Sequence, residues 1–328
     1  LNTIKQEKLN NQAANLDVET SENSIQESIA QIYIQILYAA ESVKVNENTL
    51  QVSIAQRDRG QELLNAGSIA KSDLAQLEAQ VSTDRYQLVT AQATLQDYKL
   101  QLKQLLELDG ENEMNVYLPA LSDENVLLPL PTKKDVYMSA LTLRPEIEAS
   151  KLSVEASELG IDIAKAGYLP TISLSAGIGT NHTSGSDFTF GEQVKNGWNN
   201  SIGVSVSVPI FNNRQTKSAV QKAKLQRETS LLSLLDEQKT LYKTIEGLWL
   251  DANSAQQRYA AANEKLKSTQ ISYDLISEQF NLGMKNTVEL LTEKNNLLQA
   301  QQEQLQAKYM AILNTQLLKF YQGDKLAL

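Results

Sequence analysis

The chain has 328 residues, 41% of them hydrophobic and 6% aromatic, yet no unbroken apolar run approaches the roughly twenty residues of a transmembrane helix, so any membrane crossing falls to strands. A formal net charge of −9 has the wrong sign for a nucleic-acid partner and suits solubility or a cation-attracting surface. The absence of cysteine removes disulfides and thiolate metal sites and is neutral about redox compartment.

Residues 1–118 and 210–328 contain no proline, and all six prolines lie between them, so two uninterrupted helical blocks are predicted around a punctuated middle. In the first block a long helix runs to Asn65-Ala66-Gly67, where glycine supplies the left-handed backbone that ends it, and a shorter helix returns. The returning helix carries Leu74, Val81, Leu88, Leu95 and Leu102 at every seventh position, with Leu77, Ala91, Tyr98 and Leu105 beside them, a coiled-coil seam. At 1.5 Å per residue the outward helix covers roughly 100 Å and the return about 60 Å. Residues 109–143, rich in proline and acidic residues, read as a lateral connection around the middle of the molecule. The stretch from Arg144 to Ala166 then supplies about 35 Å of further helix and ends at Gly167.

Two runs of period-two alternation follow. In residues 169–178, Ile172, Leu174, Ala176 and Ile178 alternate with Thr171, Ser173, Ser175 and Gly177. In residues 201–210, Ile202, Val204, Val206, Val208 and Ile210 alternate with Ser201, Gly203, Ser205, Ser207 and Pro209. Each run has the length of a tilted membrane strand, and apolar-out with polar-in is the pattern of a water-filled barrel. One hairpin closes no barrel, so its edges need further strands. Residues 179–197, glycine-rich and polar, read as the loop between them, and Tyr168, Phe188, Phe190 and Trp198 suit either a membrane-interface girdle or the packing of that loop.

The second helical block repeats the first. Sliding the sequence by 216 residues lays Lys8 on Lys224, Ile29 on Ile245, Leu50 on Leu266, Asn65 on Asn281, Gly67 on Gly283, Leu74 on Leu290 and Leu102 on Leu318 without a gap. Two Asn-x-Gly breaks in the same register point to a tandem duplication. By the same symmetry a second hairpin is expected just before Leu1, where no signal peptide is visible, so the expectation is a chain that is N-terminally incomplete or has lost its leader. Here Leu290 with Leu291, Leu297 with Leu298, and Leu305 and Ile312 widen the apolar stripe, so that the helix can pack on both sides, and helices packed on two sides curve into a tube.

Enzymatic readings fail on inventory. The single histidine, His182, lies in the loop without a second histidine or a cysteine to build a site. Gly177-Ile178-Gly179 lacks the third glycine of a dinucleotide loop, and Gly67 to Ser72 lacks the Gly-Lys pair of a phosphate loop. No catalytic residue, metal or cofactor is expected.

Taken in order and spacing, Leu143-Arg144-Pro145-Glu146-Ile147, Gly167-Tyr168-Leu169-Pro170-Thr171-Ile172 and Val208-Pro209-Ile210-Phe211-Asn212, within this duplicated setting, resemble the outer-membrane efflux protein family, the TolC-like exit ducts. The resemblance implies a mainly α fold in which long antiparallel coiled-coil helices form an α-barrel and a transmembrane β-hairpin contributes to a trimeric twelve-stranded β-barrel. It divides the chain into a first periplasmic helical hairpin (1–108), an equatorial connection (109–143), a helix leading to the membrane (144–167), a transmembrane hairpin with an extracellular loop (168–211) and a second periplasmic helical hairpin (212–328).

The function implied is a passive trans-periplasmic conduit of a tripartite efflux or type I secretion system in the Gram-negative outer membrane. Its partners would be a periplasmic adaptor (membrane fusion) protein, an inner-membrane pump, the lipid bilayer and two further copies of itself. On the same resemblance the helix reversals form the adaptor-docking tip, here Asn65, Gly67 and Ser68 with Asn281, Gly283 and Met284. The family's second tip has the form Gly-Thr-x-x-x-x-acid-x-x-acid, whereas here Gly283-Met284 opens a run that keeps one acid, Glu289, and has Thr292 at the second position. Glu289, with Glu293 and Asp73, is the candidate for an acidic constriction, and as a first-turn acid Glu289 also suits the positive end of its helix. Ile172, Leu174, Ile178, Ile202, Val204, Val206 and Val208 are the candidate lipid-facing positions. The rival readings, a periplasmic adaptor or a soluble structural coiled coil, call respectively for β-domains flanking one helical hairpin and for no lipid-compatible strands.

Overall fold

The computed structural model describes residues 1–108, 115–119 and 126–326. Its elements are α1 (Asn2–Asn65), α2 (Lys71–Leu105), α3 (Lys133–Leu143), α4 (Pro145–Lys165), β1 (Thr171–Gly179), α5 (Phe190–Asn196), β2 (Asn199–Ser207), α6 (Gln215–Asn281) and α7 (Thr287–Gln322). The chain divides into two compact units, one of Leu1–Leu16 with Glu148–Glu237 and the other of Asp17–Ile147 with Gln238–Leu328.

The first unit holds the hairpin. β1 and β2 pair antiparallel, with Ile172 opposite Val206, Leu174 opposite Val204 and Ala176 opposite Ile202, and with Ser173 opposite Ser205 and Ser175 opposite Gly203 on the other face. The pairing therefore gathers the apolar side chains into one sheet face and the small polar ones into the other. The ladder is shorter than the alternation predicts. It ends at Thr171 with Ser207, so Val208 lies beyond β2. One step further, Val208 would meet Pro170, which has no N–H to donate. The helical part of this unit is tied by local contacts: Gln6 donates to the Ala156 carbonyl at 2.9 Å, Thr216 to the Gly167 carbonyl at 3.2 Å, and Arg227 pairs with Glu158 at 3.0 Å.

Two short helices fall where connecting segments are predicted. Inside 179–197, α5 starts at a capping box in which the Thr189 hydroxyl accepts from the Glu192 N–H and the Glu192 carboxylate accepts from the Thr189 N–H. Within 109–143, α3 is capped by Thr132, which accepts from the Asp135 N–H at 3.2 Å, and it buries Val136 and Ala140 one turn apart. Of the rest of that connection, residues 109–114 and 120–125 lie outside the described residues.

In the second unit the connection runs back along α6. Gln256 donates to the carbonyls of Val126 and Leu128, Trp249 to that of Pro131 at 3.0 Å, and Lys133 pairs with Glu246 at 2.9 Å. Three apolar clusters form the core here. One joins Ala30, Ile34 and Leu37 of α1 to Tyr309, Leu313 and Leu317 of α7, the second packs Val126 against Ala255, Tyr259, Ala307 and Ala311, and the third joins Leu77, Phe280 and Leu290. Leu63, Tyr273 and Leu291 pack on the third, so both helix reversals rest on one shared apolar group.

Candidate functional site

The two reversals are built alike to the level of single hydrogen bonds. At the first, the Gly67 N–H donates to the Leu64 carbonyl at 2.9 Å and the Ser68 N–H to that of Leu63 at 2.8 Å. At the second, the Gly283 N–H donates to Phe280 at 2.9 Å and the Met284 N–H to Gln279 at 2.8 Å. Both glycines hold positive φ, +72° and +73°, which a side chain at Cβ would strain. Asn65, Gly67, Ser68, Asn281, Gly283 and Met284 are all exposed there. So is Leu282, a large apolar side chain that its own chain leaves 69% exposed.

Each of the three candidate acids has a local partner. Asp73 accepts from the Ala70 N–H at 3.0 Å, closing the start of α2, where alanine offers no capping oxygen in return. Glu289 accepts from the Asn286 N–H at 3.2 Å while Asn286 accepts from the Glu289 N–H at 2.9 Å, a complete capping box at the start of α7. Glu289 also pairs with Lys285 at 2.5 Å, and that bond, aided by the Asn286 amide, holds its carboxyl below the usual glutamate range. Glu293, one turn on, accepts from the Ser272 hydroxyl of α6 at 3.2 Å. Asp73 and Glu289 are thus equivalent positions of the repeat doing the same helix-starting work, and Glu293 is a bridge between α6 and α7.

Two buried polar groups join helices in ways the motif reading passes over. Ser53 of α1, Asp84 of α2 and Lys294 of α7 are 2%, 2% and 3% exposed and bond to one another, the Lys294 ammonium donating to Ser53 and Asp84, and Ser53 donating to Asp84. Gln80 donates to the other Asp84 oxygen at 2.9 Å. Burial pushes the Lys294 ammonium below the ordinary lysine range against the opposing pull of Asp84. A serine beside a lysine suggests a nucleophile and base, but at this burial no substrate reaches it. The sequence carries the signal: Asp84 occupies the seam row of Leu77, Ala91, Tyr98 and Leu105, and Lys294 falls four residues after Leu290 and three before Leu297.

Arg144 centres the second group. It pairs with Glu146 at 2.8 Å and Glu27 at 3.4 Å, and its guanidinium lies 4.3 Å from the centre of the Tyr321 ring and 5.5 Å from that of Phe320. Burial pushes the Glu27 carboxyl up, opposed by Arg144, and pushes the Tyr321 phenol up to about 12. Leu-Arg-Pro-Glu therefore works as a joint: Arg144 takes the extended backbone expected before Pro145, which opens α4, and its side chain ties that point to α1 and α7.

Every large apolar side chain on β1 and β2 is exposed, Leu174 at 76% and Ile202 at 82% among them. His182 lies in the connecting loop within 3.1 Å of Gln193 and edge-on to Phe190. Among the described residues no group of histidine and carboxylate side chains is arranged to hold a metal, and no helix is long and apolar enough to cross a membrane.

The described elements define a class of mainly helical folds with very long paired helices and one two-stranded hairpin whose apolar side chains are exposed. The outer membrane efflux protein family model matches residues 136–323, and the chain belongs to that family. It is 25% identical over 294 residues to the outer membrane efflux protein BepC of Brucella suis, covering 89% of this chain and 61% of that protein. It is 25% identical over 311 residues to the outer membrane protein TolC of Escherichia coli, covering 90% and 60%. The chain thus spans about three-fifths of the length of these curated relatives. Among solved structures it matches CusC with a TM-score of 0.84 at 20% identity, covering 99% of this chain and 74% of that one. The CmeC outer membrane channel of Campylobacter jejuni matches with a TM-score of 0.80 at 19% identity, covering 100% and 68%. The fold is accordingly that of the helical-barrel outer-membrane channels.

Proposed function

We propose that this chain is part of the outer-membrane channel of a tripartite efflux or type I secretion system, a passive exit duct for small molecules, ions or polypeptides. The observation that carries the reading is the hairpin. Its register gathers Ile172, Leu174, Ala176, Ile178, Ile202, Val204 and Val206 on one exposed face, with Asn200 opposite Ile178 at its end, and serine, threonine and glycine with Asn199 on the other, which suits lipid on the first and water on the second. Lipid would then contact Ile172, Leu174, Ile178, Ile202, Val204 and Val206, with Val208 at the rim. Both sheet edges are unpaired among the described residues, and in a bilayer such edges require partner strands, so closure calls for further hairpins, from the same protein and from other copies.

On this reading the copies form a homotrimer whose helices continue into the periplasm. Asn65, Gly67, Ser68, Asn281, Gly283 and Met284 present the docking surface for a periplasmic adaptor that links the duct to an inner-membrane pump. Glu289, Glu293 and Asp73 stand close to that tip, where three copies of a carboxylate around one axis favour cations. The duct has no energy source and no chemistry of its own.

The test is the mass of the full-length gene product, expressed with its own leader, extracted in mild detergent and measured by light scattering with the detergent subtracted. A detergent-dependent trimer is expected. A monomer or dimer that stays in solution without detergent overturns the reading and favours a soluble periplasmic coiled coil.

A further inference from the structure

We infer that Ser53, Asp84 and Lys294 form a register pin, a buried polar contact that sets how far α7 is advanced along the α1–α2 pair and so fixes the second helix reversal relative to the first. The need for such a device lies in the seams themselves. Leu74, Val81, Leu88, Leu95 and Leu102 on α2 repeat every seven residues, and Leu290 and Leu297 on α7 have the same spacing, so a slide of one heptad still offers an aliphatic residue at each level of that α2 row. Along this row apolar packing discriminates weakly between registers.

The polar contact discriminates strongly. The duplication makes α2 and α7 equivalent helices, so a heptad slide would bring Lys294 to the level of Leu77 or Ala91 instead of Asp84, and to Asn46 or Gly60 instead of Ser53. Either slide leaves a buried ammonium with no counter-charge, which is costly in a way that a mismatched leucine is not. A buried ion pair is in general no more stabilising than well-packed apolar residues of the same volume, and its best-attested use is the specification of register.

The duplication supplies a second, independent reason. Shifted by 216 residues, Ser53, Asp84 and Lys294 correspond to Thr269, Ala300 and Glu78. Ala300 is fully buried and Glu78 is exposed, so the pseudo-equivalent place in the other repeat holds no such contact. Two helical pairs of common origin are open to exchanging partners as well as slipping, and one unrepeated polar contact, joining α7 to α1 and α2, distinguishes the native pairing from its pseudo-symmetric alternative. Gln80 strengthens the same point, since it donates to Asp84 and also reaches the Asn295 side chain at 3.4 Å.

These 328 residues contain no cysteine, so a cysteine introduced among them is a unique labelling site there. Ser68→Cys and Met284→Cys, one on each exposed reversal, are labelled with nitroxides in the full-length protein, diluted with unlabelled copies so that only pairs within one copy are read, and their separation is measured by pulsed electron paramagnetic resonance. The parent gives one narrow distance distribution. Lys294→Met is expected to give a broadened distribution, or a second one reflecting a heptad displacement of about 10 Å along the helix. An unchanged narrow distribution in folded Lys294→Met overturns the proposal. Should the unpaired Asp84 prevent that variant from folding, Ser53→Ala/Asp84→Leu/Lys294→Met decides, because it removes the charges together. A broadened or doubled distribution then supports the pin, and a single unshifted one shows that the leucines hold the register unaided. The readout is a distance, so it stands apart from whether the protein conducts.

Discussion

The hairpin and the helix reversals are both places where this chain turns back on itself, and they dispose of apolar side chains in opposite ways. At the reversals Leu77, Phe280 and Leu290 are buried against one another, and backbone donors and acceptors are satisfied by the turn and its caps. On β1 and β2 the backbone pairs within the hairpin, but Ile172, Leu174, Ile202, Val204 and Val206 touch nothing of their own chain that buries them. The reversals carry their stability in themselves. A two-stranded hairpin does not, and its apolar face gains free energy only when lipid or further protein covers it.

Substitutions sharpen this contrast, and the largest effects belong to the helical unit. Arg144→Met leaves the half-buried Glu27 and Glu146 without a cation and is expected to cost up to about 3–5 kcal/mol, the range for a fully buried pair, read as a drop in thermal midpoint, with Glu27→Gln far milder because burial already favours the neutral form there. Leu290→Ala, which empties a fully buried site shared by both reversals, is expected to cost about 2–5 kcal/mol in denaturant unfolding. An equal midpoint for Leu290→Ala and the parent would break the claim that this cluster holds the reversals.

The hairpin answers differently. Leu174→Lys is expected to leave the thermal midpoint of the helices unchanged while disfavouring membrane insertion by about 2–4 kcal/mol, visible as loss of protein from the outer-membrane fraction. Gly283→Ala places a Cβ at positive φ in otherwise open space and is expected to cost on the order of 1 kcal/mol.

Smallest is the effect of Glu289, through its pH dependence. Its carboxyl is held below the usual range by Lys285 and the Asn286 amide, so the folded state binds its proton less readily than the unfolded state. The contribution is present at neutral pH and lost as pH falls through the lowered folded value. Glu289→Gln is expected to flatten that part of an acid-unfolding curve, and an identical curve would show the capping box to be inert.

Much of the fold is legible in the sequence because it is written in local chemistry. The lack of proline in 1–118 and 210–328, the paired Asn-x-Gly breaks and the alternation over 169–178 and 201–210 each express a backbone preference or a period, and the helix ends at Asn65 and Asn281 follow from them. Short elements are harder to read: α3 and α5 begin at Thr132 and Thr189 with an acid three residues on, a signal easily lost amid proline, glycine and polar residues. Alternation alone extends the second strand to Val208, and the ladder stops before it because register brings Pro170 opposite.

The helical blocks, their duplication, the two-faced strands and the family are all readable along the chain, since periodicity and turn chemistry act between near neighbours. Tertiary structure alone decided that Lys294 meets Asp84 and Ser53, that Arg144 gathers Glu27, Glu146 and Tyr321, and that both reversals share one apolar cluster. Apart from Glu146, two residues from Arg144, and Phe280 and Leu290, ten apart, those partners lie tens to hundreds of residues from one another, and no local period encodes which helix a buried charge will face. What brings them together is the joint requirement that apolar seams be covered and that no buried charge be left alone.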